Sequence, residues 1–253
     1  VSMQIKQLEE TFGLALLEPS GRNIRLTQAG NEFLTHAINA VAKFKDLEAP
    51  IQVLKNWNYY SNVNSVATTL ANEWAFKLNP ILQKVYIDEG EKDQVENMTE
   101  FAKTAGIDDM LPQLREVVQE LQAKFGKWEI PWGDINRFQR PSGDIDLTYD
   151  DNKESLAMGT ASVLWGSLPA FKSSYQNNSK KRYGYNGNSF ICAVEFGPKI
   201  KAKSLLAGGN SGDPNSKHFF DQAKMYQNAQ FKDVLFYKED VQKNAEKTYH
   251  PGE

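Results

Sequence analysis

The sequence predicts an α+β protein, and three observations carry that reading. Helical spacing of apolar residues dominates up to about residue 126, and short glycine-bounded alternating segments dominate after about residue 160. At 253 residues, with 40% hydrophobic and 24% charged positions, the chain can bury one large core or two modest ones. A net charge of -3 argues against a generally basic nucleic-acid or membrane binder. No apolar run reaches the roughly 20 residues that cross a bilayer, and no charged-then-apolar signal segment opens the chain. The one cysteine, Cys192, excludes an internal disulfide, and His36, His218 and His250 are too scattered for a histidine metal centre. No metal and no cofactor is therefore expected.

The elements follow in order. Ile5, Leu8 and Phe12 recur at helical spacing, Gly13 stands where that helix stops, and Leu14, Leu16 and Leu17 make a short apolar run. "RNIRLT" alternates as a strand after the turn at Ser20 and Gly21, and Thr27 is placed to cap a second helix with apolar positions Phe33, Leu34, Ala37, Val41 and Phe44. A helix beginning near Ser65 carries Val66, Leu70, Trp74 and Leu78 on one face. Another carries Leu111, Leu114, Val118, Leu121 and Phe125 and stops at Gly126. "TASVLWG", "GNSFICAVEFG" and "KAKSLLAGG" read as antiparallel strands. On the middle one, Phe190, Cys192, Val194 and Phe196 share a face, so Cys192 is expected to be a small buried hydrophobe.

"VSMQIKQLEETFGLALLEPSGRNIRLTQAGNEFLTHA" resembles the DNA-binding region of LysR-type transcriptional regulators, from the rear of the recognition helix through the wing to the start of the linker helix. The chain opens on Val1 and not on methionine, and is read as a truncated or joined product. The resemblance implies a winged helix-turn-helix in which Ser2, Gln4 and Lys6 are what remains of the groove-facing side, while Arg22 and Arg25 are wing residues available to phosphates. These are vestigial sites, and specific DNA binding is not expected. The helix from 28 to 46 is expected to run on as a partly covered arm, a possible self-association surface, because the family uses it in dimers.

From about Leu47 the chain changes character. "SVATTLANEWA", "WGDINRFQRP", "GTASVLWGSLPAFKSSYQ" and "GGNSGDPNSKHFFDQAKMYQNAQFKDVLF" resemble the C-terminal part of the penicillin acylase family, which includes acyl-homoserine-lactone acylases. The division implied is a segment 1-46 and a body 47-253, the latter a partial N-terminal-nucleophile hydrolase αββα body with an incomplete sheet and an unpaired edge. Members hydrolyse amides with a freed N-terminal serine whose own amine is the base. That serine, the oxyanion asparagine and the calcium-binding acids have no counterpart here, so no catalytic residue is assigned. The N-terminal acylase portion is the partner implied. Parent acylases are typically periplasmic or secreted, whereas a LysR-like segment is cytoplasmic in type, and the sequence leaves localisation open. Asn210 stands where the family often has Gln, a difference that bears on loop packing.

Independent chemistry has three candidates. Asp134 and Arg137 read as a turn-locking ion pair or a capping carboxylate. Asp144, Asp146, Asp150 and Asp151 lack the glycine and closing glutamate of a calcium loop and read as a solvated acidic turn. Ser211, Asp213 and His218 have the residue types of a hydrolytic triad but lie within eight positions. Asn215 or Ser216 is expected instead to cap a helix burying Phe219, Phe220, Ala223 and Tyr226. The body's core is expected to gather Trp74, Leu121, Trp165, Phe190, Val194 and Phe219.

Overall fold

The structure, a computed structural model, describes residues 2–21, 23–89, 94–142, 148–161, 169–176, 179–250 and 252. It is an α+β arrangement, as expected. Helix α1 (Ser2–Phe12), a hairpin of β1 (Leu17–Ser20) and β2 (Asn23–Leu26), and the long helix α2 (Gln28–Phe44) open the chain. Thr27 caps α2 by accepting the Gly30 amide at 2.9 Å. A Cβ on Gly30 would meet the Leu16 carbonyl oxygen at 2.0 Å, so only glycine lets α2 start this close to β1. Glu9 ties α1 to the hairpin by accepting the Leu16 and Leu17 amides at 2.7 and 3.0 Å, and Phe12 lies 5.7 Å from Phe33 across α1 and α2.

Little of α2 is covered beyond its first turns. Phe33, Ala37 and Phe44 are half-buried and Leu34 is exposed; the Val41 side chain lies outside the described set. The helix runs into a 3-10 turn (Lys45–Leu47), where the Arg115 guanidinium grips Asp46 at 2.7 and 3.0 Å and lies 5.5 Å from the Phe44 ring. The guanidinium beside Asp46 holds its carboxyl below the ordinary value. Leu47 is fully buried.

Helices α3 (Glu48–Lys55), α4 (Val66–Glu89), α5 (Gln94–Thr104) and α6 (Ile107–Phe125) form the helical layer. Residues of both stripes meet in one cluster: Leu70 of α4 and Leu121 of α6 are buried with Ile130, Ile135 and Val117, the neighbour of the Val118 that the spacing named, while Val118, Trp74 and Phe125 are partly buried against them. Gly126 ends α6 in the left-handed conformation, its amide returning to the Gln122 carbonyl at 2.9 Å.

The rest is sheet. A four-stranded sheet runs β4 (Leu156–Ala157), β3 (Asn136–Phe138), β6 (Arg182–Gly187), β5 (Phe171–Tyr175), after the single turn of α7 (Trp132–Ile135). A three-stranded sheet runs β7 (Phe190–Glu195), β8 (Lys201–Leu206), β9 (Lys232–Asp233). Short helices α8 (Ala223–Gln227) and α9 (Lys238–Lys243) complete the chain. Met158, Phe171, Leu205 and Tyr226 bury together as a second core between the two sheets.

Several expectations are corrected. The sheets are not wholly antiparallel, because β3 and β6 pair in parallel. Phe190 and Val194 are exposed, and so is Cys192, because the face of β7 that carries them is turned away from the second core. Among the described residues β7 pairs with β8 alone. Phe219 and Phe220 are only half-buried, since the segment after Ser216 turns and becomes helical only at Ala223. Trp165 and the strand expected over "TASVLWG" lie outside the described residues, apart from the first two positions.

Candidate functional site

The "WGDINRFQRP" segment is the hub of the sheet region. The buried Trp132 donates its indole N–H to the Thr160 carbonyl at 3.4 Å and its amide to the Ser65 carbonyl at 3.2 Å. Gly133 donates to the Val63 carbonyl at 2.8 Å. The buried Asn136 amide group bonds the carbonyls of Met158 and Thr160 at 2.9 and 2.8 Å. Gln139 exchanges hydrogen bonds with the Asp150 backbone in both directions, at 2.9 and 3.0 Å. Arg137 spends its donors on the Gly133 carbonyl and on Ser155, so the expected Asp134–Arg137 pair does not form and Asp134 is exposed. These residues have a positional job: three separate chain segments are held on one short motif.

Two cavities meet at Gln139, Arg140 and Pro141. One, of about 670 Å³, has Phe138, Phe171, Leu206 and Tyr226 in its apolar wall, and the other, of about 630 Å³, is bordered by Lys153, Glu154 and Lys224. Arg140 is committed between them, stacked 4.1 Å from the Phe219 ring and donating to the Phe219 and Gly209 carbonyls. Burial raises the Tyr226 hydroxyl to about 12.

The triad residues are neighbours without being a triad. Ser211 Oγ accepts the Asp213 amide at 3.1 Å, and the Asp213 carboxylate accepts the Asn215 amide at 2.9 Å. His218 Nδ1 faces Asp221 at 2.8 Å, not Asp213, and makes no hydrogen bond to the Ser211 hydroxyl. The arrangement therefore lacks the nucleophile–base contact that proton abstraction needs. Its bonds fold the loop back on itself: the Ser211 amide reaches the His218 carbonyl at 3.1 Å, and the Gln222 amide reaches that of Gly208 at 2.8 Å.

The acidic segment is also accounted for where it is described. Asp151 accepts Ser179 Oγ, the Lys180 amide and the Tyr183 hydroxyl at 2.6, 2.9 and 2.9 Å. Those donors outweigh the effect of burial and hold its carboxyl below the ordinary value. Asp150 closes a turn on Asn152. Asp144 and Asp146 lie outside the described residues, and among the described residues no three metal-ligating side chains gather.

The electrostatic centre that sequence reasoning missed lies between the helices and the sheet. Glu73 of α4 accepts Arg182 Nη1 of β6 at 3.2 Å, with both side chains about nine-tenths buried. Arg182 also donates to the Ser173 carbonyl at 3.0 Å and stacks against Phe76 and Tyr175 at 4.3 and 4.9 Å. Its Nε is buried without a partner. Lys124 of α6 sits 3.4 Å from the Tyr175 ring centre. Burial pushes Glu73 and Tyr175 up and Lys124 down. The four residues are on four elements, and no local pattern joins them.

The residues read as DNA-facing stand apart from all of this. Gln4 and Lys6 are exposed on α1, and Arg25 pairs across the hairpin with Glu18 at 2.7 Å. Arg22 and the Ser2 side chain lie outside the described set. Among the described residues no helix is long and apolar enough to cross a membrane.

Two family models match the chain, and they overlap at residues 22–31. Residues 1–31 match the model of the bacterial regulatory helix-turn-helix proteins of the lysR family. The chain is 41% identical over 56 residues to the HTH-type transcriptional regulator CfxR of Cupriavidus necator, a stretch covering 22% of the chain and 18% of that protein. It is 34% identical over 84 residues to the RuBisCO operon transcriptional regulator of Allochromatium vinosum, covering 33% and 28%. It is 44% identical over 55 residues to the HTH-type transcriptional regulator CbbR of Rhodospirillum rubrum, covering 22% and 18%. The chain thus spans less than a third of the length of each of these relatives. The penicillin amidase model matches residues 22–243, most of the sequence, and on that match the chain belongs to the penicillin amidase family.

Proposed function

We propose that the chain is the C-terminal part of a penicillin-amidase-type amidohydrolase, a partial αββα body joined near residue 47 to a vestigial LysR-type winged segment, and that it is inactive by itself. The observation carrying this reading is the site chemistry. Within a chain of the amidase family, Ser211 Oγ is held as a turn acceptor and His218 is turned to Asp221. Neither supplies the activated nucleophile that amide hydrolysis requires. The N-terminal acylase portion is the partner that would supply nucleophile and oxyanion donors, which makes an acylase subunit the second form of the same reading. The purified chain is expected to hydrolyse neither phenylacetyl amides nor acyl-homoserine lactones, since a missing oxyanion donor alone costs a factor of about 100 or more. Turnover that survives Ser211→Ala would show that the active site lies elsewhere on this chain; turnover abolished by it would promote the local triad.

A regulator reading is favoured by one observation, the match of residues 1–31 and the regulators related to it. Against it, Met3, Phe12 and Leu14 of the opening segment are exposed. Ser2, Gln4, Lys6, Arg22 and Arg25 are too few to hold DNA at physiological salt. No sequence-specific footprint is expected near physiological salt, and a footprint on one sequence would revive this reading.

A further inference from the structure

The two cavities that meet at Gln139, Arg140 and Pro141 differ in character. Among the described residues, the charged lining of the first, of about 670 Å³, is Arg140. Its floor is aromatic. Phe171 and Tyr226 are 5% and 2% exposed, and the Phe138 ring lies edge-on to Phe171 at 5.9 Å and tilted to Tyr226 at 6.0 Å. Tyr185, Asn186, Asn188 and Ser189, which are exposed or half-buried, give this cavity a polar, uncharged rim. The second cavity, of about 630 Å³, adds Lys153, Glu154 and Lys224, so the described lining of the pair carries three cations against one carboxylate.

Arg140 stands where the cavities join, and part of its guanidinium is unspent. Its bonds to the Phe219 and Gly209 carbonyls both leave from Nη1. Among the described residues no carboxylate pairs with it, and Nε and Nη2 make no hydrogen bond yet are not among the buried polar atoms that lack a partner. These two nitrogens therefore face open space. The carbonyl bonds and the Phe219 ring, stacked at 4.1 Å, hold the guanidinium in place. What remains is the edge that meets a carboxylate or a phosphate in two parallel N–H···O bonds.

We propose that the joined cavities bind a small aromatic anion, its ring on Phe138, Phe171 and Tyr226 and its carboxylate or phosphate head on the open edge of Arg140. The dimensions suit such a ligand, since small-molecule sites run to about 300–1,000 Å³ with mostly apolar walls and a few polar groups that fix orientation. A ring adds to the floor in the edge-to-face or offset packing that the three side chains already use. Lys153 and Lys224 reinforce the preference for negative charge, and a cationic ligand would meet Arg140 unopposed. The role is one of binding, so it stands whether or not the chain ever takes part in amide hydrolysis.

Calorimetric titration of the full chain with 2-naphthyl phosphate and with 2-naphthoate is expected to give a Kd on the order of 0.01–1 mM for at least one of them, and the tighter of the two identifies the head group. The uncharged 2-naphthol should bind at least about 10-fold more weakly, having nothing for the guanidinium to hold. Inorganic phosphate, which lacks the ring, should bind at least about 30-fold more weakly. Arg140→Gln should reduce the affinity of the anion to that of 2-naphthol. Because Arg140 also ties two loops, Ser189→Trp provides an independent check: it places an indole on the exposed rim and should weaken binding at least about 10-fold while circular dichroism stays unchanged. No binding of either anion up to about 5 mM overturns the proposal. So does equal affinity for 2-naphthol, which would leave the guanidinium without a role, or equal affinity for inorganic phosphate, which would mean an adventitious ion only. Binding that Ser189→Trp leaves unchanged overturns it also, since the ligand would then sit elsewhere.

Discussion

Replacing Glu73 by alanine is expected to cost about 3–5 kcal/mol of folding stability, read as a lowered urea midpoint with the slope unchanged. The charge left behind is the reason. Arg182 is buried between Phe76 and Tyr175 with one nitrogen already unpartnered, and losing the carboxylate strands the guanidinium in a medium that cannot hydrate it. Removing both charges together, Glu73→Leu with Arg182→Met, should restore most of the loss, because buried pairs contribute little beyond well-packed apolar substitutes. A double variant as unstable as the single one would show that the cost is in packing. The pH dependence has a definite sign. Burial raises the Glu73 pKa, so the folded protein holds this proton more tightly than the unfolded chain does. That contribution is fully present below the ordinary glutamate value and is lost as pH rises through the raised one. Glu73→Gln should therefore show a flatter stability profile than the parent from about pH 4.3 upward. Parallel profiles would remove the burial argument.

Trp132→Ala is expected to cost about 3–5 kcal/mol as well, from a cavity that the surrounding segments cannot close. The indole is 1% exposed, and its neighbours are held from several directions: Gly133 against Val63, Asn136 against Met158 and Thr160, and Ser61 against Gly159. A Cβ on Gly133 would stand 2.7 Å from that of Val63, so α7 and the Val63 segment already touch beside the indole and have little room to close further. Trp132→Phe should recover most of the loss, since the 3.4 Å hydrogen bond to Thr160 is the weaker contribution. Thermal and urea denaturation of both variants provide the check, and a loss below about 1 kcal/mol for Trp132→Ala would mean the site relaxes.

Much of the helical half was determined by local sequence. The stripes from Leu70 to Trp74 and from Leu114 to Leu121, the cap at Thr27 and the stop at Gly126 depend on neighbours three or four positions away, and each stands where spacing places it. The strands β7 and β8 were legible for the same reason, as alternation is a local property. Which side of β7 faces inward was not. Period-two alternation says that Phe190, Cys192 and Val194 share a face, but burial belongs to whatever element covers that face, and Ile191 on the other side took the core. The candidate site divides the same way. Residue types close in sequence suggested Ser211 with Asp213 and His218 and an Asp134–Arg137 pair, and the turns sent those side chains to other partners. The Glu73–Arg182 pair joins positions 109 residues apart on two elements. Only the packing of α4 against the sheet creates it, since a contact between distant segments leaves no periodic trace in either one.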